Sequence, residues 1–148
     1  MIIEIRTKEK YAANEERGFI GRMAHAGLKV RAARLSRLYR VDAGFSRAEF
    51  GRLGADLLTD RITETYSLSR PRPGIRGWRV EVWLKDSATD VVGESVRGAV
   101  ADVLGKEPQA VRFGHAYYVA CGSRAALRRA VEKTLVNGII NKFAIEKI

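Results

Sequence analysis

The chain has 148 residues, 46 % of them apolar, with a single cysteine and a formal charge of +10. That length bounds one ordinary domain or two small subdomains sharing a core, and the apolar content excludes a disordered chain. No apolar run approaches the roughly 20 residues that cross a bilayer, Met1–Arg6 lacks a secretory plan, and Cys121 alone makes no internal disulfide, so a reducing, cytoplasmic setting is expected.

Ile2 to Thr7 reads as a first strand, and Asn14 as the cap of a helix using Phe19 or Ile20, Met23 and Gly27. Lys29 to Val41 is ambiguous. Its own periodicity, with Leu28, Ala32, Leu35 and Leu38 in line, describes a basic helix. Ser46 with Glu49 forms a capping box for a helix bearing Phe50, Leu53 and Leu57. Ile62 to Leu68 closes this first half as a strand. Residues 69–77 hold Pro71, Pro73, Gly74 and Gly77 and read as a linker.

Trp78 to Leu84 alternates, with Val80, Val82 and Leu84 on one face and Arg79, Glu81 and Trp83 on the other. Asp90 caps a helix carrying Val92, Val96, Ala99, Val100 and Val103, which Gly105 ends. Val111 to Val119 is rich in β-branched and aromatic residues and reads as a strand. Ser123 caps a helix with Leu127, Ala130, Val131 and Thr134 inward, Asn137-Gly138 ends it, and Ile139 to Ile148 supplies a last strand.

These elements recur. At an offset of 77 Glu4 falls on Glu81 and Lys8 on Lys85; one residue further, Arg34, Tyr39 and Val41 fall on Arg112, Tyr117 and Val119. Leu58, Ile62 and Tyr66 then fall on Leu135, Ile139 and Phe143. The repeat decides the ambiguity: Ala33 to Val41 lies over a strand, so it is read as one. The expected fold is α+β, with tandem β-α-β-α-β units at 1–68 and 78–148 forming a pseudo-dimer with packed or shared, antiparallel or mixed sheets. Each unit alone is too small to bury a satisfactory core.

The charge points to nucleic acid or an acidic protein surface. Arg31, Arg34, Arg37 and Arg40, three apart, form either a phosphate-binding stripe or a solvated, partner-docking face. No P-loop, dinucleotide fingerprint or Cys/His ligand spacing is present, and Gly18 and Gly21 read as packing or tolerated glycines. His115 is either a partly buried structural imidazole or a pocket base. Cys121 reads as a small buried residue matching Ala43. Glu4 and Glu81 read as solvated or ion-paired strand residues. Trp83, Phe113, Tyr117 and Tyr118 suit base stacking, core packing or a protein hot spot.

The second half resembles the PurS family, the small subunit of phosphoribosylformylglycinamidine synthase. Val80-Glu81-Val82-Trp83-Leu84-Lys85-Asp86-Ser87 running to Asp90 and Gly93, Val111-Arg112-Phe113-Gly114 leading to Tyr117, and Leu135-Val136-Asn137-Gly138-Ile139-Ile140 before Phe143 carry the likeness. The first half departs from it, with Glu16, Ser36 and Asp60 where Gly93, Gly114 and Asn137 stand. The resemblance implies a non-catalytic subunit of de novo purine biosynthesis that bridges the synthetase (PurL-type) and glutaminase (PurQ-type) subunits and supports ammonia transfer. ATP, magnesium and glutamine would bind those partners and no cofactor this chain; self-association is compatible. Arg34, Tyr39, Trp83, Arg112, Gly114 and Tyr117 are the expected partner or inter-copy interface residues. The alternative is a basic α/β protein that binds RNA or joins a ribonucleoprotein.

Overall fold

The basic stretch that local periodicity casts as a helix is a strand, because its alternate residues Ala33, Tyr39 and Val41 are needed beneath helices. The computed structural model describes residues 1–148. In chain order it has β1 (Ile2–Thr7), α1 (Ala13–His25), β2 (Ala32–Asp42), α2 (Arg47–Arg52, continued by a π-helical turn over Leu53–Leu58) and β3 (Glu64–Ser67). The second half adds β4 (Trp78–Leu84), α3 (Val91–Leu104), β5 (Ala110–Ala120), α4 (Arg124–Thr134) and β6 (Asn141–Lys147).

The strands form one six-stranded sheet in the order β3-β1-β2-β5-β4-β6. Every neighbouring pair is antiparallel, which replaces the packed or mixed sheets allowed by the sequence with one shared sheet. Each half is therefore a β-α-β-α-β unit, and the two meet edge to edge through β2 and β5. The pairing is palindromic. β1 sets Glu4 against Leu38, and β4 sets Glu81 against Ala116. Tyr66 lies opposite Ile5 as Phe143 lies opposite Val82. At the centre Arg37 faces His115.

All four helices cover one face, and they do so across halves. One core joins Phe19 and Met23 of α1 to Leu127, Ala130 and Val131 of α4, over Ala33, Val80, Val82 and Val119. The other joins Phe50 and Leu53 of the α2 segment to Val100 of α3, over Ile3, Ile5, Tyr39 and Val41. Neither core belongs to one half, so neither half can bury its apolar stripe without the other. On the opposite face Leu38, Trp83, Ala116 and Tyr118 cluster, with Ile75 of the 69–77 linker laid against them.

Several local expectations shift by a few residues. Ser46–Glu49 is a complete capping box, Asp90 accepts from the Gly93 amide, and Ser123 accepts from the Ala126 amide. Asn14 is not a cap: α1 starts from Ala12 with no side-chain cap and leaves Asn14 inside its first turn. Gly18 and Gly21 have open space where a side chain would go, so they are tolerated and serve no close packing. Ile62 and Ile139 precede their strands, because Asp60 and Asn137 each accept from the amide two residues on and fold the segment into an Asx turn. No helix is long and apolar enough to cross a membrane.

Candidate functional site

The polar residues of the helix-free face form a closed network rather than a solvated surface. Glu4 and Arg79, both 3 % exposed, pair across the two halves. Arg79 Nη1 donates to both Glu4 oxygens at 3.2 Å, and the Tyr118 hydroxyl donates to Glu4 Oε1 at 2.7 Å. Arg79 Nη1 also reaches the Tyr118 hydroxyl. Glu81 then accepts from Arg79 Nε at 3.2 Å and from the Trp83 indole at 2.8 Å. Burial and the Glu4 hydrogen bond push the Tyr118 pKa well above the ordinary tyrosine range. Burial opposes the Arg79 charge, but the hydrogen bond and field of Glu4 outweigh it and leave its pKa raised. Of the two readings of Glu4, solvated or ion-paired, the structure shows the ion pair, and the pair is buried.

The strand assignment also divides the arginine series. Successive strand residues point to opposite faces, so Arg34 and Arg40 lie on the open face while Arg37 lies under the helices. A single phosphate-binding stripe is therefore absent. Arg34 is held by Glu16 at 2.8 Å, and Arg40 stacks over the Trp83 ring at 4.6 Å.

The other anticipated interface residues lie largely within the fold. Arg112 donates to the carbonyls of Leu84 and Lys85 at 3.3 and 3.1 Å. Gly114 lies directly beneath the Trp83 ring, where a Cβ would collide with the ring and with the Val82 carbonyl. Tyr39 packs on Phe113, and Tyr117 stacks on Phe19, each across the halves. Trp83, Tyr39 and Tyr118 are buried, which removes them from any role in stacking on bases.

A polar cleft of about 320 Å³ opens on the helix side at the centre of the sheet, lined by Thr7, Glu15, Arg22, Arg37, Glu64, His115 and Tyr117 among others. Arg37 makes a two-pronged bond to Glu64 at 2.6 and 3.2 Å and a third to the Leu58 carbonyl at 3.1 Å. His115 is edge-on to Phe113 and stacked toward Tyr117, with part of its surface open to the cleft. Burial, and secondarily the charge of Arg37, lowers its pKa and keeps the imidazole neutral. Burial raises the Glu15 pKa despite a hydrogen bond from Thr7 at 3.0 Å. No hydrogen bond links His115 to either carboxylate. Cys121 is buried, with its thiol pKa raised by that burial. No group of three or more His, Cys, Asp or Glu gathers to hold a metal.

Two surface features repeat. Lys8 Nζ donates to the Arg61 carbonyl at 2.9 Å, and Lys85 Nζ donates to the Gly138 carbonyl at 2.7 Å. Their backbone amides bind Thr63 and Ile140 at 2.7 Å in both cases. Each lysine thus clasps a turn, and each turn projects one isoleucine: Ile62 is 72 % exposed and Ile139 81 %. Sequence matching paired these isoleucines; only the turn geometry reveals that both face solvent.

No family model and no curated protein matches the chain.

Proposed function

We propose that the chain is a non-catalytic assembly subunit, a PurS-like pseudo-dimer in one polypeptide, that docks the synthetase and glutaminase subunits of phosphoribosylformylglycinamidine synthase and supports ammonia transfer between them. The observation that carries this reading is the pair of lysine-clasped turns. Each presents a solvent-exposed isoleucine from the segment around Leu58–Tyr66 or Leu135–Phe143. Singly exposed apolar side chains are ordinary on a protein surface, but their recurrence at matched places on two clasped turns supplies a pair of anchors suited to partner pockets. The other resemblance motifs have structural duties. Asp90 binds both the Gly93 amide and the Phe113 amide, at 2.7 and 2.8 Å. In the first half Glu16, standing where Gly93 does, binds the β2 amide of Ala33 at 2.9 Å. Both halves thus tie a helix start to the following strand with a carboxylate.

The excess positive charge favours encounter with more acidic partner surfaces. RNA binding is the weaker reading, because the pleat splits the arginines between faces, the open-face aromatics Trp83 and Tyr118 are buried, and Phe113 and Tyr117 pack on the helix side. The test is reconstitution with the synthetase and glutaminase. Glutamine-dependent activity that requires the chain supports the proposal, and equal activity without it removes the proposal.

A further inference from the structure

We propose that the hollow between Arg6, Lys8, Thr65 and Arg72 is a binding site for a phosphomonoester dianion. The hollow holds about 420 Å³ at the corner of the open face where β1 runs out and the linker passes over it. Arg6 and Thr65 are direct cross-strand neighbours, so their side chains rise on the same face. Arg72 and Pro73 of the linker form the far wall.

The hollow's cations are unequally committed. Arg34 is neutralised by Glu16 at 2.8 Å behind the wall. Lys8 spends one of its three protons on the Arg61 carbonyl. Arg6 and Arg72 have no hydrogen-bond or ion-pair partner in the chain, and neither does the Thr65 hydroxyl. Against these three cations stands Glu9, at the rim with its side chain 89 % exposed and only 3.7 Å from Arg34. Three convergent cations and a free hydroxyl against one swinging carboxylate leave a local excess matched by two negative charges. Guanidinium groups favour phosphate oxygens through forked hydrogen bonds.

The opposite corner shows why the ligand is small. There Trp83 stands in place of Arg6, Asp86 in place of Glu9 and Lys142 in place of Thr65, with Asp42 and Asp86 both lining the wall and no linker residue. Between the corners lies the internally satisfied Glu4–Arg79–Tyr118 network. A polynucleotide needs a continuous basic track, and this face is interrupted at its centre. The site does not depend on the assembly role proposed above.

Inorganic phosphate and phenyl phosphate are titrated into the whole protein at constant ionic strength, with chloride as control. Arginine side-chain and backbone NMR shifts are followed. The expected result is saturable shifts confined to Arg6, Lys8, Thr65, Arg72 and their chain neighbours, with affinity reduced by roughly tenfold or more in the Arg6→Gln/Arg72→Gln variant, which loses two charge-assisted donors. Arg72 is exposed and Arg6 half-buried without a partner, and an unchanged Tm verifies that the variant is folded. Non-saturating shifts, or equal affinity in the variant, overturn the proposal. So does a short single-stranded oligonucleotide that binds more tightly than phenyl phosphate and shifts Arg40 and Arg112 as well.

Discussion

Arg37 of β2 lies directly opposite His115 of β5, and the two occupy the same position in their halves. A palindromic sheet thus has unlike residues on its own axis. Arg37 turns to Glu64, while His115 remains uncharged between Phe113 and Tyr117. In a dimer of identical chains this position would pair arginine with arginine or histidine with histidine. The covalent link permits a pair in which one member is held neutral beside the other's charge.

This pair predicts a pH effect. The folded His115 pKa lies below the ordinary imidazole value of about 6.5, so the unfolded chain binds the proton more readily. The contribution is fully present above about pH 6.5 and is lost as pH falls toward the folded value. Arg37, Arg22, Glu15 and Glu64 face the same cleft and are common to both proteins compared, so the difference between wild type and a His115 variant isolates the imidazole. Replacing His115 by Gln should remove this part of the decline, so that between pH 7.5 and pH 5 the wild type loses more Tm than the variant. Parallel Tm curves would refute the effect.

Removing one member of the buried network should be severe. Arg79→Met leaves the Glu4 carboxyl group at 3 % exposure without its cation, an arrangement that costs about 3–5 kcal/mol. The triple variant Glu4→Met, Arg79→Met, Tyr118→Phe removes the buried ion pair and its hydroxyl together, leaves Glu81 to Arg70 and the Trp83 indole, and should recover most of that loss. Urea unfolding of the two variants measures the difference.

Two glycines on α3 should respond oppositely to alanine. A Cβ at Gly93 would collide with the Val111 carbonyl and the Asp90 carboxylate. Overpacking of this kind costs about 1–3 kcal/mol. Gly98, exposed in the same helix, has nothing within contact of a Cβ, and Gly98→Ala should stabilise by about 0.5–1 kcal/mol. The signs of the two shifts in denaturation midpoint check the assignment.

The projecting isoleucines should matter for docking and not for folding. Ile62→Ser and Ile139→Ser should each move stability by less than about 0.5 kcal/mol, while reducing co-purification with the synthetase or glutaminase. Lys85→Met should instead loosen the turn, costing about 0.5–1.5 kcal/mol and speeding amide exchange at Ile139 and Ile140.

Much of this fold was legible in the sequence because the repeat constrains what local pattern cannot. Arg34, Tyr39 and Val41 matched strand residues, and that match outweighed a helical periodicity in the same segment. The caps at Ser46, Asp90 and Ser123 were legible because a cap depends on neighbours three residues away. Glu4–Arg79 was not, since its partners are 75 residues apart and meet only through the register of β1, β2, β5 and β4. The solvent exposure of Ile62 and Ile139 was hidden for a related reason: an isoleucine before a strand looks like the strand itself, and only the Asx turn takes it out.

The linker lies on one face of the sheet and passes over only one of its two like corners. It therefore gives the molecule a polarity that its strand order lacks. The Arg72 corner is lidded and the Arg112 corner is bare, so a body built from two similar halves offers two distinguishable ends. Whatever binds the lidded corner does so once per polypeptide, and the bare one remains free for something else.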